Sequence, residues 1–438
     1  MLTLDLFIRG GTVIDPDGER RADVLIRDGL IDAVGEGLDP PAGATVLDAG
    51  GCIVGPGLVD LHSHLRQPGQ EEAETIETGS RGAALGGYTA VVAMPNTIPA
   101  LDSAGVVREV QELATKALCD VQPSGAITVG RQGQTLAPMA ELADLGVRLF
   151  TDDGAGVQDN RLMRRAMEYA SGLRAAGIGV VLAQHCEDDA LCGGGHMHEG
   201  EWSSRLGIPG QPAEAEELMV MRDLALARLT GARIHLQHLS TAGSMQLVAA
   251  AKADGLAVTA EATTHHFTLT HAECASYDPV FKVNPPLRTE PDVAAVRRGL
   301  ADGVLDAIAT DHAPHTQEAK EQPFEEAPPG MLGLETALAL AHSELVLGDK
   351  SLDLRQLFGL MSWQPASVVG LGADHGSLIA GRAANVVVFD PTERWTVDPA
   401  SFASRSRNSP YAGRRLTGKV RHTVFRGEPV VRDGEALR

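Results

Sequence analysis

The sequence predicts an α/β fold in which a (β/α)8 TIM-like barrel carries a small β-sandwich domain built from both chain ends. Apolar, strand-like segments alternate with helical patterns over roughly 300 residues, which favours a parallel barrel. Strand-like segments separated by Gly-rich turns also occur near both ends of the chain. A doubly wound open sheet is the alternative, although no Gly-x-Gly-x-x-Gly motif follows a first strand, which weakens a dinucleotide-binding interpretation.

The two chain ends resemble each other in texture, and we expect them to pair in one domain. The predicted strands are residues 4–9, 22–27, 385–389 and 420–426. The predicted organisation has three parts: the β-sandwich domain comprises residues 1–55 and 371–438, and the barrel comprises residues 56–370.

The central region supplies the alternating elements of the barrel. Its predicted strands are residues 89–94, 180–183, 233–236, 257–260 and 307–310, with helical patterns at 162–173 and 214–229. A long polar loop with several prolines follows the last of these strands, at residues 316–333. A loop of this length in a compact domain is often functional, so we interpret it as a lid over the site, with a passive surface loop as the alternative.

Composition and charge exclude several classes of protein. The net charge of −21 disfavours nucleic-acid binding because phosphates would be repelled. No apolar run reaches the ~18 residues of a membrane span, and the start at residues 1–5 lacks the basic and apolar regions of a signal peptide. Five cysteines without a Cys-x-x-Cys spacing indicate a reduced, cytoplasmic protein.

Six candidate metal ligands lie at or just after strand-like segments. They are His62, His64, Asp153, His185, His238 and Asp311. His62 and His64 share one face of a strand because side chains alternate with period two. Imidazole and carboxylate ligands suit zinc and similar divalent ions, and a parallel barrel would bring the separate strand ends together.

The motifs around these residues resemble those of the type I dihydroorotases, a family of cyclic amidohydrolases in the amidohydrolase superfamily. The similar segments are HSHLRQPG at 62–69, GGYT at 86–89, MPNT at 94–97, FTDDG at 150–154, HCE at 185–187, HLST at 238–241, KVNPPLR at 282–288, ATDHAPH at 309–315 and SRNSPYAG at 406–413. They occur in the family's order. Two departures stand out, since Gln67 replaces the usual glutamate and Thr264 the usual proline.

The resemblance implies a zinc centre with one or two ions per chain. His62, His64 and Asp311 would bind one ion, His185 and His238 the second, and Asp153 would bridge them, with Asp152 as the alternative bridge. Metal-bound hydroxide would be the nucleophile and Asp311 the general acid and base. Related hydantoinases use a carbamylated lysine at the bridge, and residues 148–153 contain no lysine.

The implied reaction is the reversible cyclisation of N-carbamoyl-L-aspartate to (S)-dihydroorotate and water, in de novo pyrimidine (UMP) biosynthesis. A guanidinium suits a carboxylate because it binds two oxygens at once, and Arg66 is expected to bind that group of the substrate. The other expected substrate contacts are His64, Asn96, Asn284, His315, Pro329 and Gly330.

Several alternatives stay open at this stage. The protein could instead be another cyclic amidohydrolase, such as a hydantoinase or allantoinase. A third alternative is an inactive subunit that scaffolds aspartate transcarbamoylase. A homodimer and a complex with that transferase are both open, as is the number of metal ions. We expect His265 and His266 to be structural or to support the ligands from behind, and His196 and His198 to lie in a solvated loop.

Overall fold

The computed structural model describes residues 5–438 and has a mixed α/β fold. In chain order the strands are β1 (Leu6–Asp15), β2 (Gly18–Arg27), β3 (Leu30–Gly35), β4 (Thr45–Asp48), β5 (Ile53–Pro56), β6 (Leu58–Ser63), β7 (Tyr88–Ala93), β8 (Asp120–Pro123), β9 (Leu149–Phe150), β10 (Val181–Gln184), β11 (Met197–His198), β12 (Gly210–Gln211), β13 (Ile234–Leu236), β14 (Val258–Thr263), β15 (Ala307–Ala309), β16 (Val386–Thr396), β17 (Arg415–Phe425), β18 (Glu428–Arg432) and β19 (Glu435–Ala436).

Helices separate most of the central strands. They are α1 (Ile76–Leu85), α2 (Ala104–Ala114), α3 (Met139–Asp144), α4 (Asn160–Ala175), α5 (Asp189–Cys192), α6 (Glu201–Leu206), α7 (Glu214–Thr230), α8 (Ala242–Ala253), α9 (Glu290–Ala301), α10 (Gln317–Lys320), α11 (Ala337–Ala341), α12 (Leu354–Phe358) and α13 (Gln364–Val368). The short helix α10 lies inside the predicted polar loop. Among residues 5–438, no helix has both the length and the apolar character needed to cross a membrane.

The chain ends form a single nine-stranded sheet. Its order is β19-β18-β17-β16-β5-β1-β2-β3, with β4 paired to β1. The antiparallel pairing of β5 with β16 joins the N-terminal strands to the C-terminal ones, in agreement with the expected association of the two ends. Residue 4, the first of the predicted strand 4–9, lies outside the described residues.

The central strands are parallel and run in two groups. One has the order β6-β7-β8 and the other β15-β14-β13-β10-β9. Isolated parallel bridges connect the groups on both sides, from Gly125 to Phe150 and from Ser63 to His312. The carboxyl ends of these strands therefore face one side of the molecule.

Helix α4 illustrates why the sequence places helices between these strands. Its buried residues Met163, Ala166, Met167 and Ala170 recur at spacings of three and four, which gives one apolar face. The carboxylate of Asp159 accepts a hydrogen bond from the Leu162 amide at 2.6 Å and caps the first turn. This apolar face of α4 is buried against the strands, in the main apolar core of the protein.

Candidate active site

The six predicted ligands come together at the carboxyl ends of the parallel strands. His62 is the penultimate residue of β6 and His64 follows that strand directly, while the other four follow β9, β10, β13 and β15. All six side chains are buried. They form two groups, His62–His64–Asp153 and Asp153–His185–His238, in each of which the ligand atoms lie within 4.8 Å of one another.

The first group surrounds two carboxylates. His62 Nε2 lies 3.2 Å from Asp153 Oδ1 and 3.5 Å from Asp311 Oδ1. His64 Nε2 lies 3.0 Å from Asp311 Oδ1 and 3.5 Å from Asp153 Oδ2. Both imidazoles therefore point a ring nitrogen at the same pair of carboxyl groups.

The second group shares Asp153 with the first. His185 Nδ1 and His238 Nε2 each lie 3.5 Å from Asp153 Oδ1 and 2.9 Å from each other. Asp153 is thus the residue that belongs to both groups, which is the position a bridging carboxylate would take.

The neighbouring aspartate has a different environment. The carboxylate of Asp152 accepts hydrogen bonds from the backbone amides of Ile127 and Thr128, at 2.9 and 3.0 Å, and from the Thr128 hydroxyl. Because these bonds occupy both of its carboxylate oxygens, Asp152 is held against residues 127–128, whereas Asp153 faces the histidines.

Hydrogen bonds to side-chain oxygens fix three of the imidazole rings. His62 Nδ1 lies 3.0 Å from Glu261 Oε1, and His64 Nδ1 lies 2.8 Å from Asn96 Oδ1. His185 reverses the pattern, because its Nε2 lies 2.7 Å from Glu187 Oε2. In each case the other ring nitrogen faces the cluster, as ligating histidines require.

The electrostatics of the cluster are suited to a cation. Burial alone would raise the pKa of Asp153 and Asp311, but the surrounding imidazoles hold both pKa values well below the usual range. Burial lowers the pKa of His185, yet its bonds to Asp153 and Glu187 raise that pKa to about 10. Both aspartates are therefore held as carboxylates, the form in which they bind a divalent ion, and metal binding would release protons from the imidazoles.

One orphaned atom supports the same conclusion. His62 Nε2 is buried and forms no hydrogen bond within the described chain, although it points at two carboxylates. A buried polar nitrogen without a partner is costly unless it binds an ion. The set of four imidazoles and two carboxylates therefore fits a divalent metal.

A cavity of about 230 Å³ opens beside the cluster. Its lining includes His64, Arg66, Asn96, Asp153, His185, His238, Asn284, Asp311, His315, Pro329 and Gly330. Every predicted substrate contact therefore lines this cavity together with five of the six candidate ligands. The sixth, His62, lies just beneath, fully buried.

Arg66 provides the cavity with a positive charge. Its Nε donates to the Pro314 carbonyl at 3.0 Å, and its Nη2 lies 3.3 Å from His315 Nε2. Burial lowers the pKa of Arg66 to about 10, so the guanidinium stays charged at neutral pH. Its Nη1 has no hydrogen-bond partner among the residues that the structure describes, and the Arg66 residue lines the same cavity.

Backbone from the polar loop forms another part of the cavity wall. Gly330 has a φ of +135°, and a Cβ there would lie 2.7 Å from the Ala313 side chain and 2.9 Å from His315 Nε2. Only glycine fits this close approach. The Pro329 carbonyl lies 2.8 Å from His315 Nε2, and Asn284 Oδ1 is buried without a partner within residues 5–438.

The remaining histidines separate into two outcomes. His266 bonds to Thr263 and to the Pro285 carbonyl, and His265 packs against it with ring centres 4.4 Å apart, as expected for structural residues. The solvated-loop prediction is wrong for His198, which is buried with Nδ1 3.2 Å from Arg288. Pairing of β11 with β12 folds the Gly-rich segment against that arginine.

Sequence reasoning missed the buried carboxylates around the ligands. Glu261 contacts both His62 and His235, and Glu187 contacts His185. The signal for Glu187 was available, because it lies two residues after a candidate ligand. Glu261 is inside β14 and far from His62 in the chain, so only the fold brings it to the site.

Comparisons with known proteins agree with this geometry. A family model described as dihydro-orotase-like matches residues 51–244. The chain is 48% identical to the dihydroorotase of Pelotomaculum thermopropionicum, over 98% of this chain and 99% of that protein. It is likewise 48% identical to the dihydroorotase of Streptomyces coelicolor, over 98% of each chain.

Solved structures show the same fold. The L-hydantoinase (dihydropyrimidinase) from Arthrobacter aurescens matches with a TM-score of 0.89 at 25% identity, covering 99% of this chain and 98% of that one. A dihydropyrimidinase from Brevibacillus agri matches with a TM-score of 0.84 at 24% identity, covering 99% and 96%. Taken with the near full-length relatives at 48% identity, these matches show that the chain belongs to the dihydroorotase family of cyclic amidohydrolases.

Proposed function

We propose that this protein is a dihydroorotase, which interconverts N-carbamoyl-L-aspartate and (S)-dihydroorotate in de novo pyrimidine biosynthesis. The observation that carries the proposal is the buried guanidinium of Arg66 in the same cavity as the six-ligand cluster. Such a cavity offers one place for a carboxylate and another for the amide bond that is made or broken. The near full-length relatives named dihydroorotase support it.

The cluster would hold one or two zinc ions. His62, His64 and Asp311 would bind the first, His185 and His238 the second, and Asp153 both. When bound, zinc acts as a Lewis acid and acidifies water. The protein contributes buried, pre-oriented ligands, with Glu261, Asn96 and Glu187 fixing the imidazole rings.

Asp311 would carry the proton. In hydrolysis, its carboxylate oxygen accepts a proton as water adds to the ring carbonyl, and it returns that proton to the departing ring nitrogen. In synthesis the same carboxyl group assists ring closure with loss of water. The neighbouring imidazoles, those of His62 and His64 among them, outweigh the effect of burial and hold the pKa of Asp311 low, so its carboxylate is ionised at neutral pH.

Arg66 would orient the substrate. The carboxylate of dihydroorotate would accept hydrogen bonds from the guanidinium, supported by Asn96, Asn284 and His315. The backbone of Pro329 and Gly330 would complete the pocket. Hydantoins and dihydropyrimidines lack this carboxylate, so Arg66 favours dihydroorotate over them.

The runner-up is a hydantoinase or allantoinase activity; the L-hydantoinase from Arthrobacter aurescens shares the fold at 25% identity. Against it stand Arg66 and the absence of a lysine from residues 148–153. A spectrophotometric assay of the purified protein with dihydroorotate, hydantoin and allantoin separates these activities. We expect turnover of dihydroorotate; preference for either uncharged ring would reject the proposal.

The finer architecture is part of the same proposal. The parallel bridges between the two strand groups support an eight-stranded closed barrel, residues 56–370, with a β-sandwich from residues 1–55 and 371–438. The five cysteines are free thiols, four of them buried, which supports a cytoplasmic location. Turnover by the purified protein alone would exclude an inactive scaffold, and turnover only with added aspartate transcarbamoylase would support a complex with that enzyme. The mass of the protein in solution tests for a homodimer.

A further inference from the structure

A second carboxylate–imidazole pair lies directly behind the site and has no part in the proposed chemistry. Glu74 and His312 are both buried, with Glu74 Oε2 3.3 Å from His312 Nε2. His312 Nδ1 accepts the Gly333 amide at 3.3 Å, so Nε2 carries the ring proton and donates it to Glu74. The pair is therefore a directed hydrogen bond between two segments far apart in the chain.

The backbone of His312 holds the catalytic end of β15. Its carbonyl accepts the His64 amide at 2.8 Å, and its amide donates to the Thr310 hydroxyl at 3.0 Å. Asp311 lies between these anchor points with a φ of +44°, a conformation that an aspartate adopts only when its surroundings hold it there.

The same residue also holds the substrate wall. His312 forms a parallel bridge to Met331, and the Ala313 amide donates to the Met331 carbonyl at 2.9 Å. These contacts fix the strand next to Gly330, whose backbone closes the cavity. The backbone of residues 312–313 thus connects the Asp311 turn to the neighbouring segment that carries Gly330.

Glu74 fixes the other end of this connection. Its carboxylate accepts hydrogen bonds from the Ser404 hydroxyl and from the Arg405 amide at 3.2 Å. A few residues further, Asn408 Nδ2 donates to the carbonyls of Ala313 and Gly330, at 3.0 and 3.1 Å. Glu74 therefore connects the segment of His312 with residues 404–408, the two segments that shape the pocket.

We propose that Glu74 and His312 are positioning residues, which hold the Asp311 turn and the Gly330 wall in register across the substrate. This inference rests on the proposed function, since register matters only if a substrate must meet both sides at once. Loss of the contact should shift the Gly330 wall relative to the Asp311 turn, which the backbone hydrogen bonds of His312 to His64 and Thr310 still hold, so the metal ligands should stay in place.

A matched pair provides the control. Asp120, the first residue of β8, lies 3.2 Å from Nε2 of the buried His375, at the amino end of the parallel strands. Asp120→Asn and Glu74→Gln each replace the carboxylate of such a pair with an amide. Both variants should lower the unfolding temperature, but only the second should change the kinetic constants for substrate.

The experiment measures kcat, KM, bound metal and unfolding temperature for wild type, Glu74→Gln, Asp120→Asn and His312→Leu. We expect kcat/KM to fall about 10–100-fold in Glu74→Gln, with a raised KM and unchanged metal content. The KM is decisive because a loss of folded protein alone lowers the apparent kcat and leaves the KM unchanged. His312→Gln, which keeps a donor toward Glu74, should recover part of the loss seen in His312→Leu.

Several outcomes overturn the proposal. Wild-type kcat and KM in Glu74→Gln would do so, as would an equal kinetic loss in Asp120→Asn. If Glu74→Gln does not fold, Ser404→Ala replaces it: this variant removes one hydrogen bond to Glu74 and should lower kcat/KM about two- to tenfold. Wild-type kinetics there would reject the proposal. Lack of dihydroorotate turnover in the wild type would instead reject the proposed function.

Discussion

The two ends of strand β15 carry aspartates in opposite situations. Asp306, just before the strand, accepts hydrogen bonds from Lys252 Nζ at 2.6 Å and from the Ala260 amide at 2.9 Å, and is partly exposed. Asp311, just after the strand, is buried beside the rings of His62 and His64. At the amino end of the strand, the charge of Asp306 is neutralised by Lys252. At the carboxyl end, the carboxylate of Asp311 and the imidazole nitrogens face one another as potential metal ligands.

The clearest way to break this comparison is to neutralise each aspartate in turn. Asp311→Asn should lower kcat by about 10²–10⁴-fold or more, because it removes the proton carrier and a ligand. Asp306→Asn should leave kcat and KM near wild type and lower only the free energy of unfolding, since it weakens the Lys252 pair. Steady-state kinetics with metal analysis checks both. Near-normal turnover by Asp311→Asn would contradict the assignment.

The adjacent Asp152 and Asp153 sharpen the comparison within one dipeptide. Asp153→Asn should weaken metal binding by more than the roughly 10–100-fold cost of losing an outer hydrogen-bond partner, because Asp153 faces both ligand groups. Asp152→Asn should retain metal but destabilise the fold by about 1–3 kcal/mol, since it disturbs the bonds to Ile127 and Thr128.

Metal titration by calorimetry and thermal unfolding of the metal-free proteins separate these effects. If Asp152→Asn loses metal and Asp153→Asn does not, the two aspartates exchange roles, and the bridging assignment must move to Asp152. The unfolding measurement guards against a folding defect that would imitate metal loss.

Arg66 tests the substrate side of the carboxyl end. Arg66→Met should raise the KM for dihydroorotate about 10–100-fold, because hydrogen bonds to a charged group contribute about 1.5–3 kcal/mol. The metal content should not change, since Arg66 bonds to Pro314 and His315 and is not a candidate ligand. An unchanged KM would show that another group binds the carboxylate.

The difference between the two ends of the strands also decides which site residues the sequence could predict. The candidate ligands were predictable because each one lies at or just after the end of a strand, and parallel strands bring their carboxyl ends together. Glu261 and Glu74 were not, because each meets its partner across more than 190 positions of the chain, His62 for one and His312 for the other. The hydrophobic period and the spacing of residues indicate which side chains are neighbours on one helix or strand. The contacts of Glu261 and Glu74 depend instead on how several elements pack together.

The same limit explains the errors at element level. Helix α4 was expected at residues 162–173 but spans Asn160–Ala175, because the Asp159 cap starts it earlier than its apolar pattern. His198 was assigned to solvent because its neighbours are glycines, although a two-residue strand pairing turns it inward onto Arg288. Short pairings of this kind have no period that a sequence can display.

The amino end offers the smallest expected effect on catalysis. Phe358, at the end of α12, is fully buried and lies against Gly55 of β5, with its ring 6.4 Å from that of Phe389 in β16. Phe358→Leu should lower the free energy of unfolding by about 1–2 kcal/mol through the lost packing. Denaturant unfolding measures this loss.

Because this contact joins the terminal sheet to a central helix on the side away from the ligands, kcat, KM and metal content should stay at wild-type values. A change in the KM for dihydroorotate would mean that the terminal sheet and the active site are coupled, and the division of labour between the two ends would fail.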